Sequence, residues 1–220
     1  MTGFSDRTAQ GILNHICGQS ALFAMPTCYI ALFTAVGTDA GTGFTEVTGG
    51  GYARVATTAA TWNAAAGSSP STISNGAAIT FPAPTANWGN ALAFGLYDAP
   101  TVGNLLAWDY LGNFPWLPAT VSAASPAVLT VSRHGYAAAD TIVWSIEYGG
   151  INPTFSQSNF TGLLAVTTPA VDTFGVTNAG TAVNTSATGD GMVRKVVSQA
   201  IPSGAQAPSF GTGALLITSA

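Results

Sequence analysis

The two histidines and two cysteines of this sequence are the residue types that most often bind transition metals, and their spacing decides whether a metal site is expected. They are His15, Cys17, Cys28 and His134. None of them forms a Cys-x-x-Cys or His-x-x-x-His pair, the spacings that bring two ligands to one turn or helix face. His15 and Cys17 stand two apart in a predicted helix, where such side chains point away from each other. The sequence therefore predicts no metal site, and we expect no cofactor.

Two carboxylates have the types and setting that a glycosidase would need. Asp98 and Asp109 flank a predicted hairpin, and a paired acid and base could cleave a glycosidic bond there. An aspartate at a turn more commonly accepts hydrogen bonds from its own backbone. The sequence has no Gly-x-Ser-x-Gly motif, and its Gly41–Gly51 loop lacks the Gly-Lys-Ser/Thr end of a phosphate loop. We expect no catalytic residue and a protein that is not an enzyme.

The low content of charged residues is the strongest compositional signal. Asp, Glu, Lys and Arg make up 6% of the 220 residues, whereas about 25% is usual for a soluble domain. A free monomer commonly carries a mixed charged surface that keeps copies apart, and this sequence is rich in Ser, Thr, Gly and Ala instead. The composition favours a structural protein that packs against copies of itself or a larger shell. We expect a homo-oligomer, with a trimer as the first guess.

Nucleic acid and membrane are not expected as partners. The five Lys and Arg residues are too few for a phosphate-neutralising patch. No apolar run reaches the eighteen residues of a transmembrane helix. Met1–Ser5 lacks the basic and apolar stretches of a signal peptide, which predicts synthesis in a reducing cytoplasm. Cys17 and Cys28 are expected as small buried thiols, with a disulfide as the alternative if their segments meet.

The elements that must position these side chains begin with one helix. Ser5 and Asp6 can cap a helix over Arg7–Cys17, in which Ile12, Leu13 and Ile16 share one face. Runs rich in β-branched and aromatic residues then predict strands, separated by Gly, Pro and Ser. These runs are Thr27–Val36, Tyr52–Thr58, Ala77–Phe81, Trp88–Tyr97, Leu105–Leu111, 128–131, Thr141–Tyr148, Gly162–Thr167, Asp172–Val176, Met192–Val197 and Ser209–Thr218.

Short strands without an alternating helix rhythm indicate a mainly β fold, a β-sandwich or barrel-like core with one N-terminal helix. Three stretches do not fit a strand pattern. Gly37–Gly51 is predicted as a long glycine-rich loop and Trp62–Gly76 as a second loop. Phe114–Pro118 is predicted as a rigid extended segment, since two prolines oppose pairing in a sheet. Trp88, Trp108 and Trp144 are expected to fill the core.

Several short motifs carry a resemblance to a known family. They are YIALFT at 29–34, TDAG at 38–41, TEVTGGGYAR at 45–54, ITFP at 79–82, FGLYD at 94–98 and GNLLAW at 103–108. In this order they resemble a family of small tailed-bacteriophage virion proteins, often labelled tail-fibre-like. The resemblance covers roughly residues 10–118 and 196–220. It implies a component of the virion, made in the cytoplasm of the bacterial host.

The intervening stretch departs from that family pattern. Residues 125–195 are similar to small β-modules of phage fibre and tail proteins. We therefore predict a discontinuous β core domain, formed by 1–124 plus 196–220, that carries an inserted β-module over 125–195.

The resemblance leaves two functions open, both without catalysis. A capsid decoration or cement protein is favoured, because a fibre shaft would need heptads or repeats and none is present. The alternative is a short tail-fibre or tail-tip protein that binds a host receptor. Partners would be further copies of the chain and phage capsid or tail proteins.

Two segments are predicted to form the interface between subunits or with a shell. Phe114, Trp116 and Leu117 lie between prolines that hold them extended, and apolar anchors of this kind dominate interface energies. Phe44 and Glu46 lie in the glycine-rich loop, which is costly to order without compensating contacts.

Overall fold

A computed structural model describes residues 3–21, 27–67, 71–112, 114–145 and 162–219. These residues form mainly β-strands with one α-helix, which confirms the predicted fold class. The contacts divide the chain into two compact units. We call Gly112–Val197 the inserted unit, and the residues up to Leu111 together with those from Ser198 onward the main unit.

The helix and strands are numbered along the chain. Helix α1 is Asp6–Ile16, and a single 3₁₀ turn covers Ala59–Thr61. Strands before the insertion are β1 (Gly3–Phe4), β2 (Cys28–Ala35), β3 (Thr45–Glu46), β4 (Val55–Thr57), β5 (Ser71–Ser74), β6 (Ile79–Thr80), β7 (Gly89–Ala91), β8 (Ala93–Tyr97) and β9 (Leu105–Tyr110). Those of the inserted unit are β10 (Leu117–Val121), β11 (Val128–Thr130), β12 (Thr141–Ser145), β13 (Leu164–Thr167), β14 (Thr173–Asn178), β15 (Thr181–Ala182) and β16 (Gly189–Val196). After it come β17 (Gln199–Ile201), β18 (Ser209–Phe210) and β19 (Leu216–Ser219).

Helix α1 begins at the predicted cap. The Thr8 amide donates to Ser5 Oγ at 3.4 Å, and Ser5 Oγ donates to the Leu105 carbonyl at 2.6 Å. The cap therefore also ties the start of the helix to β9. The predicted apolar face is not the buried one, since Leu13 is 62% and Ile16 73% exposed while Thr8 is buried. Tethering through the cap, rather than an apolar stripe, sets the orientation of this helix.

The main unit contains a six-stranded sheet built around β2. The order is β1-β9-β8-β2, and both β3 and β4 pair with the far edge of β2. The four central residues of β2, Ile30–Phe33, are at most 3% exposed, so both faces of this strand are covered. Strands β8 and β9 form the predicted hairpin. Trp88 and Trp108 are buried as predicted.

The strands after the insertion complete the main unit in reverse order. Strand β17 pairs with β7, β18 with β6 and β19 with β5, all antiparallel. Ile201 and Leu215 join the core that Ile30, Ile79 and Phe94 form. The main unit therefore acquires part of its core and three strand pairs only when the C-terminal stretch is present.

Several predicted boundaries in the main unit are wrong because strand pairing overrides local pattern. The predicted loop Trp62–Gly76 contains β5, a polar strand that exists through its pairing with β19. The loop Gly37–Gly51 contains β3, which pairs with β2. The run Trp88–Tyr97 is two strands, since β7 pairs with β17 whereas β8 pairs with β2 and β9. Ser209–Thr218 likewise divides into β18 and β19.

The inserted unit is a closed β-barrel of six strands. The order is β11-β10-β16-β12-β13-β14, and β11 pairs with β14 to close the ring, with β15 added beside β14. Inward side chains alternate along the strands, as in Leu164 and Val166 or Phe174 and Val176, all at most 1% exposed. From sequence, the barrel-like arrangement was expected for the core domain, which corresponds to the main unit. The closure depends on β11 with β14, a pairing that no local pattern indicates.

The segment Phe114–Pro118 corrects a second expectation. Leu117 and Pro118 were expected outside any sheet, yet they begin β10, where they pair with Val193 and Met192. Strand β10 pairs with β11 only at Thr120 and Val121. Pro118 therefore lies where β10 pairs with β16 alone. Because no second strand pairs with β10 at this position, the N–H that proline lacks is not needed for another row of inter-strand hydrogen bonds. Because β10 belongs to the barrel, the inserted unit starts before the predicted boundary at 125.

In the aromatic cluster that His134, Tyr136 and Phe174 form in the barrel, one substitution is expected to stabilise the protein. The Tyr136 hydroxyl and His134 Nε2 are buried with no hydrogen-bond partner among the described residues. His134 Nδ1 accepts the Tyr136 amide at 2.8 Å, and both rings pack on Phe174. Tyr136→Phe is expected to raise the free energy of unfolding by about 1 kcal/mol, because it removes a buried group that loses its water on folding. Urea denaturation at pH 7 measures this.

The control is Tyr52→Phe, which removes a hydroxyl with two partners and should destabilise the main unit. A pH series adds a second readout. Burial raises the pKa of Tyr136 to about 12, above an unfolded value of about 10. The unfolded chain therefore loses the phenol proton from about pH 10, whereas the folded chain keeps it up to about pH 12, so the stability of the wild type falls as the pH rises through this window. The advantage of Tyr136→Phe should grow over that range, and a less stable variant would contradict the assignment.

Candidate functional site

A partly buried ion pair between Arg54 and Glu46 organises one end of the main sheet. Arg54 donates through Nε to Glu46 Oε1 at 2.9 Å and through Nη2 to Glu46 Oε2 at 2.7 Å. The Arg54 side chain is 6% exposed, and its guanidinium carbon lies 3.6 Å from the centre of the Tyr97 ring. Bidentate pairing and stacking on an aromatic ring are the contacts for which the planar guanidinium is suited. The result is a fixed cation on a rigid support.

The carboxylate of Glu46 is also held from its other side. The Tyr52 hydroxyl donates to Glu46 Oε1 at 2.9 Å and accepts the Leu32 amide at 2.9 Å. Burial, together with the neighbouring Glu46 charge, raises the pKa of Tyr52, although the hydrogen bond from Leu32 opposes the shift. Burial by itself would lower the pKa of Arg54. The hydrogen bond to Glu46 and the Glu46 charge outweigh burial, so the pKa of Arg54 is raised. Tyr52 therefore stays a neutral donor and Arg54 a permanent cation.

The same arginine fixes the loop between β8 and β9. Arg54 Nη1 donates to the Ala99 carbonyl at 2.9 Å and to the Val102 carbonyl at 2.8 Å. Asp98 closes the loop, since its two oxygens accept the Asn104 amide and side-chain Nδ2, each at 2.6 Å. Burial opposes ionisation of Asp98, but these hydrogen bonds and Arg7 lower its pKa. The loop is thus tied by four hydrogen bonds to charged groups.

Backbone strain marks the tip of this loop. Val102 has a φ of 56°, a region that β-branched residues rarely adopt. Its side chain is 86% exposed, so no apolar packing compensates for the strain. Gly103, at a φ of 73°, has no room for a side chain, because a Cβ there would lie 2.5 Å from Asp98 Oδ1. The contacts of Arg54 and Asp98 hold the loop in this conformation.

A cleft of about 300 Å³ opens beside the loop. We call it the arginine cleft; it is lined by Ser5 and Arg7, Asp39–Gly41, Arg54, Tyr97 and Val102–Leu105. Asp39 is fixed by Trp108, whose Nε1 donates to Asp39 Oδ1 at 2.7 Å, and its carbonyl accepts the Asp6 amide at 3.0 Å. Arg7 Nη2 lies 4.0 Å from Asp98 Oδ2, and its side chain is 49% exposed. The walls therefore come from helix α1, the loop before β3 and the hairpin.

Two of the predicted interface residues contribute to the interior of the main unit. The Phe44 ring lies 4.7 Å from that of Phe33 and 5.2 Å from that of Trp108. Glu46 is bound by Tyr52 and Arg54 as described above. The glycine-rich loop that carries them is ordered by contacts within the chain, which include the Thr38 amide donating to the Thr42 carbonyl at 2.9 Å. An additional role at an interface stays a prediction.

The other three predicted interface residues lie at the start of β10 or just before it. Leu117 packs against the barrel core. Trp116 is half-buried, with the guanidinium carbon of Arg194 5.9 Å from its ring centre. Phe114 is half-buried as well, with Lys195 Nζ 5.5 Å from its ring centre. Both residues are partly exposed, and the interface prediction for this segment also stays open.

The residues considered for metal binding are dispersed. In the described ranges no three His, Cys, Asp or Glu side chains converge on a point where a metal ion could bind. Cys17 is exposed and Cys28 half-buried, and both are free thiols. Asp109 accepts the amide of Tyr110 at 2.6 Å, and Asp98 accepts from Asn104, so both carboxylates serve the backbone as the turn interpretation predicts. No helix within the described ranges has the length and apolarity of a membrane span.

Sequence reasoning missed Arg54 as the organising residue and Tyr97 as its support. One signal was available, since TEVTGGGYAR contains both a lone arginine and a lone glutamate in a chain with very few charges. An isolated opposite pair eight residues apart is a candidate for a buried ion pair. Nothing in the sequence indicates that Arg54 also binds the carbonyls of Ala99 and Val102.

A protein family matches the first half of the chain. Residues 3–114 match the family described as Podophage GP4 fiber I protein gp80. The match takes in most of the first stretch, 10–118, in which the sequence resembles tailed-phage virion proteins. No curated protein matches the chain.

Proposed function

Because the chain belongs to the family of the podophage GP4 fiber I protein gp80, we propose that it is a fibre subunit of a podophage. The predicted membership in a tailed-phage virion family is confirmed, and with it a structural role in the virion. The family description is the observation that supports a fibre over the capsid decoration protein favoured by sequence. It also supports the virion as the site of action, and we propose that the protein is made in the cytoplasm of the bacterial host.

The closed barrel is compatible with a fibre subunit that has no shaft. Heptads and repeats are absent from the sequence, which argued against a long fibre. A short fibre can instead be made from compact units that associate side by side. In that arrangement the weakly charged surface packs against copies of the chain and against neighbouring tail proteins.

Electron microscopy of intact virions tests this assignment. Gold-labelled antibodies raised against the purified chain should mark the tail region of each particle. Antibodies absorbed beforehand with the purified chain are the control and should give no label. Gold distributed over the capsid faces would overturn the fibre assignment in favour of capsid decoration.

The fibre subunit is proposed to be a homo-oligomer, with a trimer as the first expectation, and Trp116 to be one of its contacts. Trp116→Ala should shift the protein toward monomer, measured by light scattering on a sizing column, with little change in melting temperature. Truncation of a central aromatic contact commonly costs about 2 kcal/mol or more of association energy. The matched control is Trp144→Ala, since Trp144 packs against the barrel core and should lower the melting temperature instead. Normal assembly with a collapsed melting temperature in Trp116→Ala would refute the contact.

The proposed role requires no catalysis. Asp98 and Asp109 are both engaged by backbone amides, which supports binding and assembly rather than general acid and base chemistry. Purified protein should release no reducing sugar from glycans or peptidoglycan. Activity that disappears in Asp98→Asn would contradict this proposal.

A further inference from the structure

The arginine cleft has the features of a small-molecule site. Its volume of about 300 Å³ is at the lower end of the range of ligand sites, about 300–1,000 Å³. It therefore suits a ligand of the size of a single sugar residue. The family description names no ligand-binding site.

The walls of the cleft are held in place before any ligand arrives. Arg54 fixes the carbonyls of Ala99 and Val102, and Trp108 fixes the carboxylate of Asp39. The Ser5 amide donates to the Leu106 carbonyl at 2.8 Å. A site that is already ordered loses little conformational freedom on binding, which favours affinity for a small ligand. The strained backbone at Val102 is also more common at binding sites than elsewhere.

The charges of the cleft disfavour an anionic ligand. Arg54 is paired with Glu46 at 2.7 Å, and Arg7 faces Asp98 at 4.0 Å. Asp39 is a third carboxylate and receives a neutral indole N–H. Both arginines of the lining are thus already engaged by carboxylates that lie behind it, Glu46 and Asp98. A ligand carboxylate or phosphate would have to compete with these carboxylates for the guanidinium groups.

The hydrogen-bonding groups of the cleft suit a neutral ligand with several hydroxyls. Tyr97 lines the cleft and is 8% exposed, and its hydroxyl makes no hydrogen bond to the described residues. Asn104, Asp39 and Arg7 add amide, carboxylate and guanidinium groups to the same lining. A hydroxyl both donates and accepts, so it can satisfy carboxylate and guanidinium groups together.

We infer that the arginine cleft binds a neutral saccharide unit of the host cell surface. The chemistry of the ligand is argued from the cleft alone, whereas its location on the host rests on the proposed fibre function. The saccharide would be held by hydrogen bonds to Tyr97, Asn104 and Asp39. The tied loop between β8 and β9 provides one rigid wall.

Nuclear magnetic resonance of the full, isotope-labelled chain tests the inference. Glucose, galactose, mannose, rhamnose and N-acetylglucosamine are titrated one at a time, with glucuronate and galacturonate as the acidic counterparts. At least one neutral sugar should shift the amide signals of residues 39–41 and 102–105, and both acidic sugars should bind more weakly than that sugar. No shift there with any sugar, or tighter binding of the acidic form, overturns the inference.

Two variants locate the binding site. Ala40→Trp should abolish the shifts, since Ala40 is an exposed residue of the cleft lining, while Ala64→Trp, exposed outside the lining, should leave them unchanged. Tyr97→Phe should weaken binding about fivefold, the loss of one neutral hydrogen bond. Tyr29→Phe, opposite Tyr97 on β2, is its control. Unchanged binding by Ala40→Trp would overturn the site, and unchanged binding by Tyr97→Phe would overturn the role of its hydroxyl.

The outcome is separable from that of the fibre proposal. Sugar binding in the cleft together with gold label on the capsid faces would retain the site and reject the fibre assignment. Tail labelling without any sugar binding would retain the fibre assignment and reject the site.

Discussion

Replacement of Arg54 by Met is expected to lower the free energy of unfolding of the main unit by about 3 kcal/mol, the lower end of the cost of removing one partner of a buried ion pair, because the Glu46 side chain is 25% exposed. The substitution leaves the Glu46 carboxylate without its bidentate partner and frees two loop carbonyls. A loss of this size is a large part of the stability of a domain. Urea denaturation followed by circular dichroism measures it.

A double-mutant cycle separates the ion pair from the loop contacts. Glu46→Gln removes the carboxylate charge, and the double variant should be more stable than the sum of the single losses predicts. The control is Arg133→Met, since Arg133 is exposed on the surface of the barrel and should change stability by less than about 0.5 kcal/mol. Equal small losses for Arg54→Met and Arg133→Met would show that the buried pair contributes little.

Replacement of Phe174 by Ala is expected to destabilise the inserted unit selectively, by about 3–5 kcal/mol. Phe174 is 1% exposed in the barrel core and packs against His134 and Tyr136. Hydrogen exchange read by mass spectrometry should show faster exchange in peptides from 117–145 and 164–196. Peptides from the main unit should exchange at the wild-type rate, because their core is made by a separate cluster of residues.

The matched variant is Phe33→Ala in the main unit, where Phe33 is fully buried. It should produce the reverse pattern, with faster exchange in β2, β8 and β9 and an unchanged barrel. Loss of protection throughout the chain in either variant would show that the two units unfold as one, contrary to the predicted domain division.

Deletion of the inserted unit extends this test. Replacing 112–197 by a short Gly/Ser linker should leave a soluble core that melts cooperatively, since β17, β18 and β19 remain available to β7, β6 and β5. A second deletion that ends the chain before β17 should fail to fold, because it removes those three pairings. Failure of both proteins to fold would refute the independence of the main unit.

Local sequence determined the elements whose stability depends on near neighbours. Ser5 caps α1 through the amide three residues on, and β2 contains the apolar run Ile30–Phe33, which is covered on both faces. The hairpin of β8 and β9 follows from Asp98, which binds the backbone of Asn104. The motifs between 29 and 108 also determined the family, which the match over 3–114 confirms. In the helix cap, the strand and the hairpin the informative residues lie within a few positions of one another, and each family motif is itself a short run of residues.

Only the tertiary structure decided which distant strands pair and which charges meet. Strand β5 is polar and carries no strand signal, yet it pairs with β19 from the far end of the chain. The barrel closes because β11 meets β14, and Pro118 is accepted in β10 because it has a neighbour on one side only. Arg54 binds carbonyls 45 and 48 residues away. Backbone hydrogen bonds are chemically alike at every residue, so their partners are selected by the packing of the whole unit, which no local pattern of side chains contains.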